Sequence, residues 1–349
     1  MVKLEFQQFL KQIQKVRKRA VKQAEKSELP SFHEFSYGDY PPKMIALDGS
    51  NRWIWYSPDI NARIAVIRAA AVVYEYQPLS KSRLVLKYHT FKDIPVLIAP
   101  NNLEILNFDP EIKTLHQEIK KALGPHPTTQ GILNQLRELE ELKLAEDMAL
   151  KYSDSLIVMD GALTIIQVKQ IENAARNLRE ACIDSQNTLI GVSKRNTTRR
   201  LKSNLTDEAL VRQLTKNDSR MLYTEISEIP KGKQVYPPLG QTFLTKLHPQ
   251  PIKSFRVDIV PSQEQKLETI FSHLAYYSKV DTFPGYPFPL VDAHNIAAML
   301  RRVPDMFNNE LVEAGAEIGI NEEELFQYLI THEKMERDPF HRHLDDITK

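Results

Sequence analysis

Apolar residues recur at threes and fours from Leu4 through Phe6, Leu10 and Ile13 to Val16, with lysines and arginines filling the other positions. That period predicts an amphipathic helix over residues 2–27. Its basic face reads as a solvated surface or dimer-forming helix before it reads as a nucleic-acid arm. A Ser/Pro/Tyr-rich loop, 28–42, ends in Pro41-Pro42. Then the pattern changes. Met44 to Leu47 is a short unbroken apolar run that ends in Asp48-Gly49, a strand delivering a carboxylate into a turn. Residues 62–76, ARIAVIRAAAVVYEY, suit a buried strand, or a helix breaking into one. Segments 84–91 and 94–100 read as two further strands.

Helical periodicity takes over at 111–123 and again at 130–150, with Gly124-Pro125 as the break. A fully apolar strand follows in SLIVMDGAL, 155–163, then a helix over 168–184 and a second apolar strand, TLIGVSK, 188–194. Unbroken apolar strands between helices predict an α/β fold whose sheet centre is buried on both faces. Further on, 205–216 reads as helix, and 220–226, 242–247 and 254–260 as strands. Ser262 with Gln265 forms a capping box for a helix to about Tyr277. GYPFPL, 285–290, is an extended approach to a helix from Asp292, its N-cap, to Arg302. Asn321 with Glu324 caps a last helix, and a charged, frayed tail runs from Glu333.

Composition narrows the classes. The chain has 349 residues, 42% hydrophobic and 26% charged, with room for one large domain or two modest ones. A net charge of +1 excludes a global footprint for nucleic acid or membrane, so any polyanion site is local. No apolar run approaches the roughly 20 residues of a membrane span, and the charged N-terminus does not resemble a signal peptide. The single cysteine, Cys182, lies in a helical pattern as a small core residue. These features lead us to expect a cytoplasmic protein.

The candidate chemistry sits at strand ends. Asp48 and Asp160 each follow four or more apolar residues and precede a glycine. One such pair is usually only a turn. Two on neighbouring strands repel unless a divalent cation neutralises them, the logic of a Mg²⁺ or Mn²⁺ site. Glu138 and Glu141 share a helix face just before the Asp160 strand, and either reaches the two aspartates, although helix glutamates are commonly just solvated. The next strand runs into Lys194, followed by Arg195, Arg199, Arg200 and Lys202. That cluster is either a solvated basic loop or a track for phosphates. His294 is a capping, packing or proton-handling residue. Trp53, Trp55 and Tyr56, just after the first acid, pack or stack on bases, packing being the first expectation.

Taken in order, LDGS, a helix with Arg137, Glu138 and Glu141, IVMDGAL, GVSK and GYPFPLVDAHNIA resemble the NurA family of DNA-repair nucleases over roughly residues 40–302. The resemblance implies an RNase H-like core, a mixed central sheet flanked by helices, with additional strands and helices. It implies a dimeric, metal-dependent deoxyribonuclease, both exonuclease and single-strand endonuclease, that processes double-strand breaks. Two Mn²⁺ or Mg²⁺ ions per site and a HerA-type hexameric ATPase partner are part of that expectation. The residues it maps to are Asp48, Glu141 or Glu138, Asp160, Lys194 and His294, with Asp292 a departure where an apolar residue is expected. It divides the chain into a dimerising helix and loop (1–42), a nuclease domain (43–302) and C-terminal helices with a tail (303–349). Two other classes compete. One is a catalytically weak RNase H-like adaptor for a translocase. The other is a hexokinase-like phosphotransferase, disfavoured because 11 glycines form no phosphate loop.

Overall fold

The computed structural model describes residues 2–24, 30–57, 62–77, 83–98, 110–123, 128–194, 196–201, 204–226, 238–251, 253–260, 266–298, 304–328 and 330–331. In chain order these form α1 (Val2–Ala24), β1 (His33–Phe35), β2 (Met44–Ser57), β3 (Ala62–Gln77), β4 (Arg83–Ile98), α2 (Pro110–Leu123), α3 (Thr129–Lys151), β5 (Leu156–Asp160), α4 (Lys169–Asp184), β6 (Thr188–Ser193), α5 (Asp207–Leu214), β7 (Met221–Glu225), β8 (Gln241–Lys246), β9 (Phe255–Val260), α6 (Leu267–Tyr276), α7 (Phe288–Ala298), α8 (Pro304–Glu317), α9 (Glu322–Tyr328) and β10 (Ile330–Thr331).

All described strands join one mixed sheet in the order β1-β7-β8-β9-β6-β5-β2-β3-β4, with β10 on the outer end of β2. Its centre, β4-β3-β2-β5-β6, has an antiparallel meander of β2, β3 and β4, followed by β5 and β6 parallel to β2. A mixed central sheet flanked by helices is what the resemblance to an RNase H-like core implies. The other strands add antiparallel pairs beyond β6.

Alternation along each central strand feeds two cores. Ile45, Leu47, Ile157, Met159 and Leu189 pack under α2, α3 and α4. Met44, Ala46, Leu156, Val158, Ile190 and Val192 pack under α6 and α7. Covered on both faces, these strands need apolar residues at every position, which is why β5 and β6 read as unbroken runs. Cys182 is a buried member of the first core, and burial pushes its thiol up to about 12.

The meander differs from expectation. The segment 62–76 is strand throughout: its Ile and Val residues lose side-chain freedom in a helix and pack well on a pleated surface. The two short strands expected at 84–91 and 94–100 are one, β4, paired with β3 along its whole length. The first strand does not stop at Asp48. It runs nine residues further, to Ser57, because β3 pairs with it over that length and polar partners take up its polar side chains. Asn51 Nδ2 donates to Asn134 of α3 at 3.0 Å, and Gln130 Nε2 donates to Asn51 at 3.1 Å. Trp55 is buried with Ile54 and Val66, against Phe307 and Leu311 of α8.

Helix α3 opens on Thr128, whose Oγ1 accepts from Gly131 N–H at 3.0 Å. Asn321 caps α9 as expected, accepting from Glu324 N–H at 2.8 Å. Helix α7 departs from expectation by starting at Phe288 within GYPFPL. Pro289 falls in its first turn, where a missing N–H costs nothing. The capping box at Ser262 and the tail from Glu333 lie outside the described residues. No helix among the described residues is long and apolar enough to cross a membrane. Phe6, Phe9, Leu10, Ile13 and Val16 of α1 are exposed in the single chain.

Candidate metal centre

Period two places the key side chains. Met44 and Ala46 belong to the α6/α7 core, so Asp48 points to that face; Leu156 and Val158 put Asp160 there, and Ile190 and Val192 put Lys194 there. Register completes the set. Ala46 pairs with Val158 and Asp160 pairs with Val192, so Asp48 and Asp160 stand side by side on neighbouring parallel strands.

The site's contacts are specific. His294 Nδ1 from α7 lies 2.6 Å from Asp48 Oδ2, and Gly49 N–H donates to Asp48 Oδ1 at 2.8 Å. Lys194 Nζ pairs with Asp160 Oδ2, and the Tyr286 hydroxyl donates to Asp160 Oδ1 at 3.1 Å. Lys194 also stands over the Tyr286 ring, 5.5 Å from its centroid. One ligand atom each from Asp48, Asp160 and His294 lie within 4.8 Å of one another. The sequence reads His294 as a capping, packing or proton-handling residue; its position makes it equally a candidate ligand. Burial, then the Asp160 charge, raises the Asp48 carboxyl above its ordinary value, against the opposing hydrogen bond from His294.

Glu141 arrives from the opposite face. Gly49 faces α3, and a Cβ added there would lie 2.0 Å from Glu141 Oε1. The absent side chain is the gap through which the carboxylate approaches Asp48. Glu141 Oε1 is buried and takes no hydrogen bond among the described residues, although Arg137 Nε lies 3.1 Å away as an ion pair. Burial pushes its carboxyl up to about 8, with Arg137 opposing and Asp48 adding to the rise. Glu138 lies farther out and is pushed up to about 7 by burial. Both glutamates, with Arg137, Asp160, the 161–165 loop and Leu239, line a pocket of about 240 Å³. Of the two glutamates left open by periodicity, Glu141 is the one against Gly49.

A buried carboxylate oxygen, ion-paired with Arg137 but without a hydrogen bond among the described residues, beside an Asp/Asp/His cluster is a donor set that fits a divalent cation. Carboxylate oxygens with one imidazole suit Mn²⁺ or Mg²⁺, and there is no thiolate to favour a softer ion.

The remaining candidates divide. Arg199 is exposed. Arg200 is folded back, its backbone N–H on Asp207 at 2.9 Å and its Nη1 on the Ile226 carbonyl at 3.4 Å, and burial lowers its pKa. Arg195 and Lys202 lie outside the described residues. Trp53 Nε1 donates to Gln130 at 3.1 Å, and the Arg63 guanidinium lies over both the Trp53 and Tyr56 rings, at 5.6 and 5.3 Å. These aromatics are engaged in packing. Asp292 is not an N-cap, since α7 begins four residues earlier; its carboxylate accepts from the Tyr74 hydroxyl. Tyr286 was missed altogether. The signal was present, because it lies in the GYPFPL approach, but a tyrosine between glycine and proline reads as loop.

A family model for the NurA domain matches residues 42–299. No curated protein matches the chain. Among solved structures, the chain is similar to the NurA nuclease from Sulfolobus solfataricus, at 16% identity over 87% of this chain and 94% of that one, with a TM-score of 0.50. It also aligns with the catalytic domain of human endonuclease V, at 11% identity over 83% of this chain and 96% of that one, with a TM-score of 0.38. At these identities the likeness to the Sulfolobus protein is one of fold.

Proposed function

We propose, from the premise that this chain belongs to the NurA family, that it is a divalent-metal-dependent deoxyribonuclease acting on single strands and DNA ends. The observation that carries the reading is the cluster of Asp48, Asp160 and His294, with Glu141 reaching Gly49 from the opposite face of the sheet. Asp48, Asp160 and Glu141 would hold one or two ions, Mn²⁺ or Mg²⁺, with His294 as a further ligand. When bound, such ions supply positive charge at the scissile phosphate and acidify water for attack.

The chain's own groups supply the rest. Lys194, a point charge beside Asp160, turns toward the phosphate and balances the charge that develops on it. Tyr286 holds the other Asp160 oxygen and so fixes the carboxylate's orientation. Where His294 is not a ligand, it handles the proton of the attacking water or leaving oxygen. Arg137 pairs with Glu141 and binds the Gly49 carbonyl at 3.4 Å, keeping the helix acid aimed through the gap. Arg199 is an exposed cation of the basic loop and offers a contact for the strand's backbone.

Two partners complete the proposal. The exposed apolar residues of α1 suit a homodimer contact. A hexameric HerA-type ATPase would feed DNA to the dimer during break processing. The deciding experiment measures Mn²⁺-dependent degradation of single-stranded DNA by wild type and Asp48→Ala. We expect loss of activity by about 10³-fold or more, with the fold retained by circular dichroism. Equal activity in the two proteins removes the assigned site. DNA binding without cleavage by wild type leaves the adaptor role instead.

A further inference from the structure

Helix α7 brings His294 to Asp48, and its apolar contact with the core runs through Phe288, Leu290, Val291, Ala293 and Ile296. The residues it buries are Pro289, Leu290, Ala293 and Ala297. Two of these four are alanines, and the sheet residue beside Asp48 is another alanine, Ala70, paired with it in register. Beside His294 itself the contact is therefore between small side chains, whose ridges are shallow. A histidine that must meet a carboxylate at 2.6 Å needs better definition than that.

Two polar tethers supply it, and both come from β3. Asp292, two residues before His294, accepts a hydrogen bond from the Tyr74 hydroxyl. Ile296, two residues after, presents its carbonyl to Arg68 Nη1 at 3.3 Å. Arg68 is itself locked. Its Nε and Nη2 donate to the two oxygens of Asp93 at 2.6 Å each, Asp93 being its cross-strand partner on β4, and the Phe91 ring lies 4.2 Å from the guanidinium. Arg68 is only 3% exposed. Tyr74 and Arg68, six residues apart on β3, grip α7 one residue beyond each neighbour of His294.

We infer that Tyr74 and Arg68 are positioning residues that, through the Asp292 carboxylate and the Ile296 carbonyl, set the rotation of α7 and hold His294 on Asp48. Asp292, anomalous against the family pattern, is the acceptor that makes the first tether. The kinetic consequence rests on the nuclease reading; the structural one does not. A displacement of about 1 Å in such a group can cost on the order of 100-fold in rate, so a partial loosening is expected to be measurable.

The test uses the full chain in two arms. In metal-free protein, ¹⁵N-labelled histidine side chains are followed by NMR, with the His294 signal identified by its loss in His294→Gln. Tyr74→Phe and Asp292→Leu are expected to move the His294 signal toward that of a free imidazole, whereas Asp292→Asn, which keeps an acceptor oxygen, retains the wild-type signal. In the activity arm, Tyr74→Phe and Asp292→Leu each lower kcat about tenfold while KM for DNA stays within about twofold, and the double variant falls no further than the singles. An unchanged His294 signal in Tyr74→Phe overturns the inference, as does Asp292→Asn behaving like Asp292→Leu. A signal that moves in a protein whose wild type has no nuclease activity upholds the positioning role and sinks the nuclease reading instead. Should Asp292→Leu fail to fold, Tyr74→Phe, which removes one hydroxyl, decides alone.

Discussion

Asp48-Gly49 and Asp160-Gly161 are the same dipeptide after the same kind of apolar run, and the fold uses them in opposite ways. At Gly161 the chain leaves the sheet. Its φ is +143°, a conformation that side-chain-bearing residues rarely adopt, and an added Cβ would meet nothing within 4 Å. At Gly49 the chain stays in the sheet, and the strand continues to Ser57. There an added Cβ would collide with the Glu141 carboxylate. One glycine answers a backbone requirement and the other a spatial one. Asp160 consequently sits at the end of its central strand with Lys194 and Tyr286, while Asp48 sits between two helices that reach it from both faces.

Alanine substitution separates the two roles most sharply. Gly49→Ala is expected to lower the nuclease rate about 100-fold, because the Glu141 carboxylate must swing away. The clash reaches Glu141 Cδ and Cγ, at 2.7 and 2.8 Å, as well as the carboxylate oxygen, so the buried side chain must turn as a whole and the thermal midpoint should fall with the rate. Combining it with Glu141→Gln should add no further loss. A Gly49→Ala protein with wild-type rate would show that the gap is not needed.

The acid that enters through that gap predicts how metal and pH act on stability. Glu141 has a folded pKa raised from an ordinary 4.5 to about 8, so the folded chain binds its proton more tightly than the unfolded one. The stability it contributes is present below 4.5 and is lost as pH rises toward 8. In chelator, wild type should therefore lose stability across that window, and Glu141→Gln should flatten the profile. Mn²⁺ at 100 times its dissociation constant should restore about 2.7 kcal/mol at neutral pH. No stabilisation of wild type by Mn²⁺ in a chemical denaturation series would count against the centre.

The smallest effect belongs to the other glycine. Gly161→Ala should cost on the order of 1 kcal/mol of stability through backbone strain, with nuclease activity reduced far less than in Gly49→Ala. If Gly161→Ala instead abolished activity at unchanged stability, the contrast between the two glycines would fail.

Much of the fold and part of the site were legible before the structure. Unbroken apolar runs marked β5 and β6 as central strands, and the switch to period 3.6 marked α3 and α4 to within a residue or two. The far end of β2 was not legible, because Gly49, Ser50 and Asn51 have turn composition and are held extended by β3 and by Asn134 and Gln130 of α3. Nor was the choice between Glu138 and Glu141, which share a helix face; the gap at Gly49 distinguishes them.

The division has a physical basis. Side-chain direction in a strand alternates with period two, a local property, so the chain's own sequence already places Asp48, Asp160 and Lys194 in step with the apolar residues of one face. Which strand lies beside which, how far a strand runs, and which side chains from the helices arrive at the same point depend on pairing between distant segments. Tyr286 on Asp160, His294 on Asp48, Glu141 over Gly49 and Tyr74 on Asp292 are all contacts of that kind. They exist only once the sheet has closed and both faces are covered.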